Sequence, residues 1–138
     1  MPDVLLRPWR HLFDFQGRST RTEYWLFMLQ IAAIAMVLVM LLVMLAGSLG
    51  EGIGAASLLV IIPFAFFAFI AGLSAAVRRL HDQDLSGWFY LINLIPYLGG
   101  FIFLIMMLLP GTDGENRFGP NPRDPEQRGT DEVAGIFS

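Results

Sequence analysis

Three long stretches of this chain carry no charged side chain, and they restrict its fold more than any other feature. Asp, Glu, Lys and Arg are absent from residues 24–50, 52–77 and 85–112. A helix of about 20 apolar residues spans the roughly 30 Å hydrocarbon layer of a bilayer. A helix on the surface of a soluble protein has a polar face, which these stretches lack. The sequence therefore predicts an all-α integral membrane protein with three transmembrane helices.

The composition supports this class and excludes several others. Of the 138 residues, 55% are hydrophobic and 15% are charged, whereas about 25% are charged in a soluble domain. The absence of cysteine excludes disulfides, thiolate metal sites and cysteine nucleophiles. Three spans leave too little chain for a nucleotide-binding domain. We therefore expect one membrane domain over residues 1–122 and a disordered acidic tail over 123–138.

Capping residues and periodicity set the element boundaries. Thr20 followed by Glu23 has the spacing of a capping box and begins the first span. Trp9, Leu12 and Phe13 lie on one helical face, as in an amphipathic helix at the membrane interface or one packed on the protein's own spans. We predict an interfacial helix, three spans and a turn-rich segment over about residues 8–15, 21–49, 53–77, 87–109 and 110–122, in that order.

Small residues mark a candidate packing face on the second span. Ala68, Gly72 and Ala76 recur every four residues. Small side chains at this spacing let a neighbouring helix approach closely, although the pattern also arises by chance in apolar helices. We predict that this face packs against the first or the third span.

Arginine placement predicts the orientation. The segment before Tyr24 carries four arginines, and the loop after the second span begins with Arg78 and Arg79. The positive-inside rule places the N-terminus and this loop in the cytoplasm. Three crossings then place the C-terminal tail outside, and hydropathy favours this arrangement. A third segment that folds back at residues 96–100 would instead return the tail to the cytoplasm.

Three polar motifs border the apolar stretches. Residues 17–25 read GRSTRTEYW, residues 78–88 read RRLHDQDLSGW and residues 111–120 read GTDGENRFGP. Their order and spacing resemble domain-of-unknown-function family 805, the YhaH-like bacterial inner-membrane proteins, over about residues 9–122. The resemblance implies a multi-pass protein of the bacterial inner membrane. It implies no activity and no catalytic residue.

Seven charged side chains of the first two motifs would share one membrane face: Arg18, Arg21, Glu23, Arg78, Arg79, Asp82 and Asp84. The acidic three are candidates for interfacial ion pairs with the arginines, each contributing about 1 kcal/mol and fixing which helices meet. The arginines are also candidates for contacts to a partner or to anionic lipid, where each adds about 1 kcal/mol. His81 lies beside two acidic residues, but three near-adjacent ligands on one loop form a poor metal site.

Two classes of function fit this reading. The first is an accessory or scaffold protein that binds another membrane complex or lipids. The second is an oligomeric small-solute channel or carrier, which the lack of ionisable groups in the spans disfavours. No nucleophile–base pair lies at membrane depth, so we predict no enzymatic activity and no cofactor or metal. The expected partners are membrane lipids and a membrane protein or a second copy, with no nucleic acid.

Overall fold

The structure is a computed structural model that describes residues 2–50 and 52–124, and these ranges are helical with no strand. The elements follow in the order α1 (Pro2–Arg10), α2 (Arg21–Leu49), α3 (Gly52–Asp82), a 3-10 helix (Gly87–Leu94) and α4 (Leu98–Leu108). The predicted all-α class is therefore confirmed for the described ranges. The predicted disordered tail lies, from residue 125 onward, outside the described residues.

Helix α2 begins and ends where its capping residues predict. The Thr20 side chain accepts a hydrogen bond from the Glu23 amide at 3.2 Å. At the other end Gly50 has a φ of +86°, which glycine adopts without strain, and donates its N–H to Ala46 O at 3.1 Å. With a rise of about 1.5 Å per residue, α2 extends about 43 Å, enough to cross a bilayer.

Helix α3 is longer than the sequence predicts, because charge alone does not end a helix. It continues five residues past Val77 and ends at Asp82. The motif 78–82 contains no glycine or proline, and the first residue with positive φ is Asp84, at +58°. The predicted loop of charged residues is therefore the last turn of α3, and its side chains are held in fixed helical positions.

The third apolar stretch, predicted as a span over residues 87–109, forms two short helices separated by a break. Two helices of the described chain are long and apolar enough to cross a membrane, α2 and α3. The third apolar stretch divides at Pro96, which has no N–H and forces Ile95 into an extended conformation, with φ −72° and ψ 118°. Tyr97 then takes a φ of +64° and reverses the chain. The Ser86 side chain caps the 3-10 helix.

The two halves of this stretch form a hairpin, residues 87–108, whose ends lie together at the C-terminal end of α3. The 3-10 helix begins five residues after α3 ends. At the other end of the hairpin, Trp25 Nε1 donates to Met107 O at 3.4 Å. Arg79 donates to Leu109 O, and Gln83 donates to Met106 O. The chain thus leaves the hairpin at the same end at which it enters.

Close packing holds the two arms of the hairpin together. A Cβ atom built on Gly99 would lie 2.0 Å from Ile92 O, so only glycine fits at this crossing. The rings of Tyr90 and Phe103 meet edge to face, with centroids 5.4 Å apart. The third stretch therefore folds back on itself, as in the alternative that hydropathy disfavoured.

Helix α1 covers residues 2–10 and not the predicted 8–15. Pro8 lies in its last turn, where it has no N–H to donate to the carbonyl four residues before it. Trp9 packs edge to face on Phe27, with centroids 5.3 Å apart, and its Nε1 donates to Gln30 Oε1 at 2.6 Å. Helix α1 therefore rests on α2, the arrangement expected for a helix packed on the protein's own spans.

The buried core lies at the end of the molecule where α2 begins and α3 ends. Its buried apolar residues are Tyr24, Phe27, Ala71, Ala75, Ala76, Leu80 and Met107. Of the predicted packing face, Ala76 is buried, Ala68 is half-buried and a Cβ on Gly72 would lie 3.7 Å from Met28 Cε. The second span thus packs small residues on α2, with Ala71 and Ala75 more central than the predicted three.

Candidate functional site

The polar motifs meet at Asp82, whose side chain is completely buried. Its Oδ1 lies 3.0 Å from Arg18 Nη2, and its Oδ2 lies 2.5 Å from Arg79 Nη1. Arg123, which is one-third exposed, reaches the same carboxylate at 3.5 Å. A buried carboxylate is retained only when cations and hydrogen bonds replace its lost hydration. Asp82 therefore depends on arginines from the first motif, from its own motif and from the segment that follows the third.

Arg18 connects all three motifs with one guanidinium. Its Nε donates to Asp82 Oδ1 at 3.1 Å. Its Nη1 donates to Gly114 O at 2.6 Å, and its Nη2 donates to Thr112 O at 2.6 Å. A planar guanidinium with five fixed donors serves several acceptors at once, which a lysine does not.

The third motif caps the C-terminal end of α3. The last carbonyls of a helix have no partner within it and need donors from elsewhere. The amide and the hydroxyl of Thr112 donate to Asp82 O at 2.7 and 2.9 Å. The Asn116 side chain donates to His81 O at 2.9 Å. The segment after the hairpin is therefore fixed to the end of α3 by backbone carbonyls.

The loop of the third motif is a tight turn packed on His81. The backbones of Asn116 and Gly119 exchange two hydrogen bonds of 3.0 Å. The Phe118 ring stacks on the His81 ring, with centroids 3.9 Å apart and planes inclined by 4°. The Arg117 guanidinium lies 4.8 Å from the Phe118 centroid, within cation–π range. Sequence analysis predicted the turn, and the structure adds the surface on which Phe118 packs.

A second ionic group joins α1, α2 and α3. The Glu23 carboxylate is buried and lies 3.4 Å from both Arg7 Nη1 and Arg78 Nη1. Nearby, Ser74 Oγ donates its proton to Asp14 O at 2.6 Å and lies 3.1 Å from His11 O. The connection between α1 and α2 is thus bound to the C-terminal third of α3, through a serine that periodicity alone did not single out.

We call these residues together the polar network: Arg7, Arg18, Glu23, Arg78, Arg79, Asp82, Thr112, Asn116 and Arg123. The sequence predicted a shared face for its first two motifs, and the structure brings Arg18 to Asp82 and Glu23 to Arg78. It places Asp84 instead with Arg117, at 3.2 Å and largely exposed. Arg21 meets neither aspartate and donates to Leu108 O at 3.2 Å.

Burial separates the four arginines that were candidates for lipid or partner contacts. Arg18, Arg78 and Arg79 are at most 3% exposed, and Arg21 is exposed. The first three side chains are occupied inside the chain, so in this structure Arg21 alone of the four lies on the outer surface. The arginines of the two motifs therefore act first on the protein's own carbonyls and carboxylates.

Sequence reasoning missed the part played by Thr112, Asn116 and Gly111. A Cβ on Gly111 would lie 2.0 Å from Asp82 Oδ2, so the chain passes the carboxylate at a distance that only glycine allows. The available signal was the positive charge at Arg117 and Arg123. By the positive-inside rule these residues place the third motif on the same side as the first two.

The amino-acid sequence matches the family described as "Protein of unknown function (DUF805)" over residues 12–120. The chain belongs to this family. This DUF805 chain is 36% identical to "Inner membrane protein YhaH" of Escherichia coli (strain K12) over 121 residues, 88% of this chain and 97% of YhaH. It is 33% identical to "Inner membrane protein YhaI" of the same strain over 114 residues, 83% of this chain and 90% of YhaI.

No solved structure matches this DUF805 chain. The family match confirms the resemblance predicted from the three motifs. The names of both relatives, together with the apolar helices α2 and α3, confirm the prediction of a membrane protein. In this DUF805 chain, the polar network brings the three motifs of that resemblance into contact with one another.

Proposed function

We propose that this chain is a non-catalytic accessory or scaffold protein of the bacterial inner membrane that docks on another membrane protein through α2 and α3. One observation carries the proposal. Most polar side chains at this end of the molecule are used in internal contacts, whereas the apolar surfaces of α2 and α3 are largely exposed. Asp82, Arg79 and Arg18 are saturated by one another and by backbone carbonyls. Their arrangement supports a structural role.

The proposed topology has two crossings and a re-entrant hairpin, with the segment before α2 and the segment after the hairpin both in the cytoplasm. The 3-10 helix of eight residues and α4 of eleven residues extend about 16 Å and about 17 Å. Each arm therefore reaches about half of the roughly 30 Å hydrocarbon layer. Backbone that turns at such a depth needs protein around it, and α3 packs against both arms of the hairpin. The arginines of the polar network then all lie on the positive, cytoplasmic side.

Internal hydrogen bonds at the spans weaken the channel alternative. The Gln30 amide binds Trp9 and the Leu5 carbonyl of α1, and the Asn93 side chain donates to Tyr90 O at 2.9 Å. Polar groups that line a conduction path need donors and acceptors that remain available to the solute. These two side chains are instead used within the fold, which supports the accessory role over transport.

Two exposed apolar faces are the proposed docking surfaces. Met36, Met40 and Met44 recur every four residues along α2, and all three are largely exposed. Methionine side chains adapt to irregular partner surfaces because they are unbranched and polarisable. On α3, Leu59 and Phe66 lie on one face and are also largely exposed. A partner helix that packs on either face needs no polar contact.

Photo-crosslinking in intact cells tests this function. A photoreactive amino acid is placed at Met40 or at Phe66, and at Ala75, which is buried between the helices, as the matched control. We expect a discrete adduct with one membrane protein from an exposed position and none from Ala75. A ladder of this chain's own copies would favour the channel alternative. Adducts with lipid alone from both exposed positions would overturn the docking proposal.

A further inference from the structure

The polar end contains a buried cation whose hydrogen-bonding capacity is only partly used. Arg78 is 2% exposed, and its Nη1 lies 3.4 Å from Glu23 Oε1. Its Nε and Nη2 are shielded from water and have no hydrogen-bond partner among the described residues. A buried donor without an acceptor is destabilising, and a buried charged donor more so. The structure therefore holds a guanidinium edge that lacks its acceptor.

This arginine forms part of the wall of a small cavity. The cavity has a volume of about 160 Å³, and Arg7, Arg18 and Arg78 are among the residues that line it. One carboxylate, that of Asp14, also lines it and lies 3.1 Å from His11 Nδ1. A second cavity of about 130 Å³ shares Arg7 and Arg18 with the first, so the two are adjacent. Arg7 and Arg18 are paired with Glu23 and Asp82, so the free edge of Arg78 is the part of this wall that lacks an acceptor.

We propose that this cavity binds a phosphate group, held by Arg78 and Arg7. The Nε–H and Nη2–H edge of an arginine is the one that binds two oxygens of a phosphate in parallel, and it is the edge left without a partner in Arg78. Arg7, whose side chain is one-third exposed, lines the same cavity and adds a second charge. Binding at the shielded edge of Arg78 requires the neighbouring side chains to move aside.

The phosphate has two chemically equivalent sources, a phospholipid headgroup and free inorganic phosphate. The site itself depends only on the residues of the cavity wall. The lipid source additionally rests on the proposed topology, which places this end of the molecule at the cytoplasmic surface of the membrane. The two sources are separated by the probe, and the site is tested independently of the docking function.

The first arm measures thermal unfolding of the full-length chain in detergent, in inorganic phosphate and in chloride at equal ionic strength. The variants are Arg7→Gln and Arg78→Gln, with Arg10→Gln as the matched control, because Arg10 is exposed and lines neither cavity. We expect phosphate to raise the unfolding temperature of the wild type and of R10Q in a saturable way. The loss of one charge-assisted bond makes binding about tenfold weaker in R7Q.

The second arm uses native mass spectrometry after reconstitution in phosphatidylglycerol or in a phosphate-free glycosyl diacylglycerol. Retention of phosphatidylglycerol by the wild type and its loss in R7Q identify the lipid headgroup as the source. A phosphate effect without retained lipid identifies the free anion. R7Q keeps the proposal falsifiable if R78Q does not fold. An unfolding temperature that is equal in phosphate and chloride, together with lipid retention that R7Q leaves unchanged, overturns the proposal.

Discussion

Asp82 Oδ1 lies 3.0 Å from Arg18 Nη2, although 64 positions separate the two residues in the chain. The same carboxylate is shared by Arg79, one turn earlier in α3, and by Arg123, which follows the hairpin. These contacts join the end of α3 to the residues just before α2 and to the segment that follows the hairpin. The polar network thus holds the exit of the hairpin at Asp82.

Removing the carboxylate at the centre of this network should destabilise the protein strongly. Asp82→Asn leaves the buried guanidinium groups of Arg18 and Arg79 without their counter-charge. Breaking a buried ion pair by removing one partner costs about 3–5 kcal/mol. We expect a loss of this order in the free energy of unfolding, measured by denaturant titration in mixed micelles.

The matched control for this change is Asp84→Asn. The pair of Asp84 and Arg117 is exposed, with side chains 45% and 60% accessible. An exposed ion pair contributes about 0–1 kcal/mol, so the control should unfold nearly as the wild type does. Equal losses of unfolding free energy in D82N and D84N would show that the buried Asp82 carboxylate stabilises the fold no more than the exposed Asp84 carboxylate does.

Replacing Arg18 by lysine should destabilise the protein although the charge is kept. The lysine ammonium cannot reach Asp82, Gly114 O and Thr112 O together, as the guanidinium does. Each unsatisfied buried acceptor costs about 1–3 kcal/mol. Arg21→Lys, at an exposed side chain with one backbone contact, should be nearly neutral in the same unfolding assay.

Exchanging the charges of Arg18 and Asp82 should not restore stability, because Gly114 O and Thr112 O would lose the guanidinium that donates to them.

Two neighbouring glycines in α4 should respond to alanine in opposite ways. Gly99→Ala places a Cβ 2.0 Å from Ile92 O, whereas a Cβ on Gly100 meets nothing within 4 Å. Overpacking costs about 1–3 kcal/mol, and an unhindered glycine-to-alanine change in a helix gains about 0.5–1 kcal/mol. We expect a lower unfolding temperature for G99A and an equal or higher one for G100A. A continuous third helix has no such crossing, so similar behaviour of the two variants would argue against the hairpin.

The sequence predicted the parts of the fold that depend on local signals. Thr20 and Glu23 placed the start of α2, because a cap acts within one turn of the chain. The end of α3 was misplaced at Val77, since charged residues signal the edge of the hydrocarbon layer and not the end of a helix. The end of the helix depends on Thr112 and Asn116, which bind its last carbonyls from about 30 residues away.

The third apolar stretch shows a different limit. Its composition fits a crossing and a hairpin equally well, because hydropathy measures burial in lipid and not chain direction. Pro96 and the glycines at positions 99 and 100 were a sign of the break. The sequence allowed the pairing of Arg18 with Asp82 to be predicted as one of a few combinations on a shared face. It did not allow the backbone carbonyls that bind Arg18 to be predicted, because every residue has a carbonyl and the side chains do not show which one is used.

Cysteine accessibility in intact and permeabilised cells tests the central claim, that the third stretch returns to the side from which it came. The chain has no cysteine of its own. Three exposed positions are suitable for labelling: Gln16 precedes α2, Ser48 lies at the end of α2, and Asp113 follows the hairpin. We expect a membrane-impermeant thiol reagent to label Ser48→Cys in intact cells, and to label Gln16→Cys and Asp113→Cys only after permeabilisation. Labelling of Asp113→Cys together with Ser48→Cys in intact cells would contradict this claim.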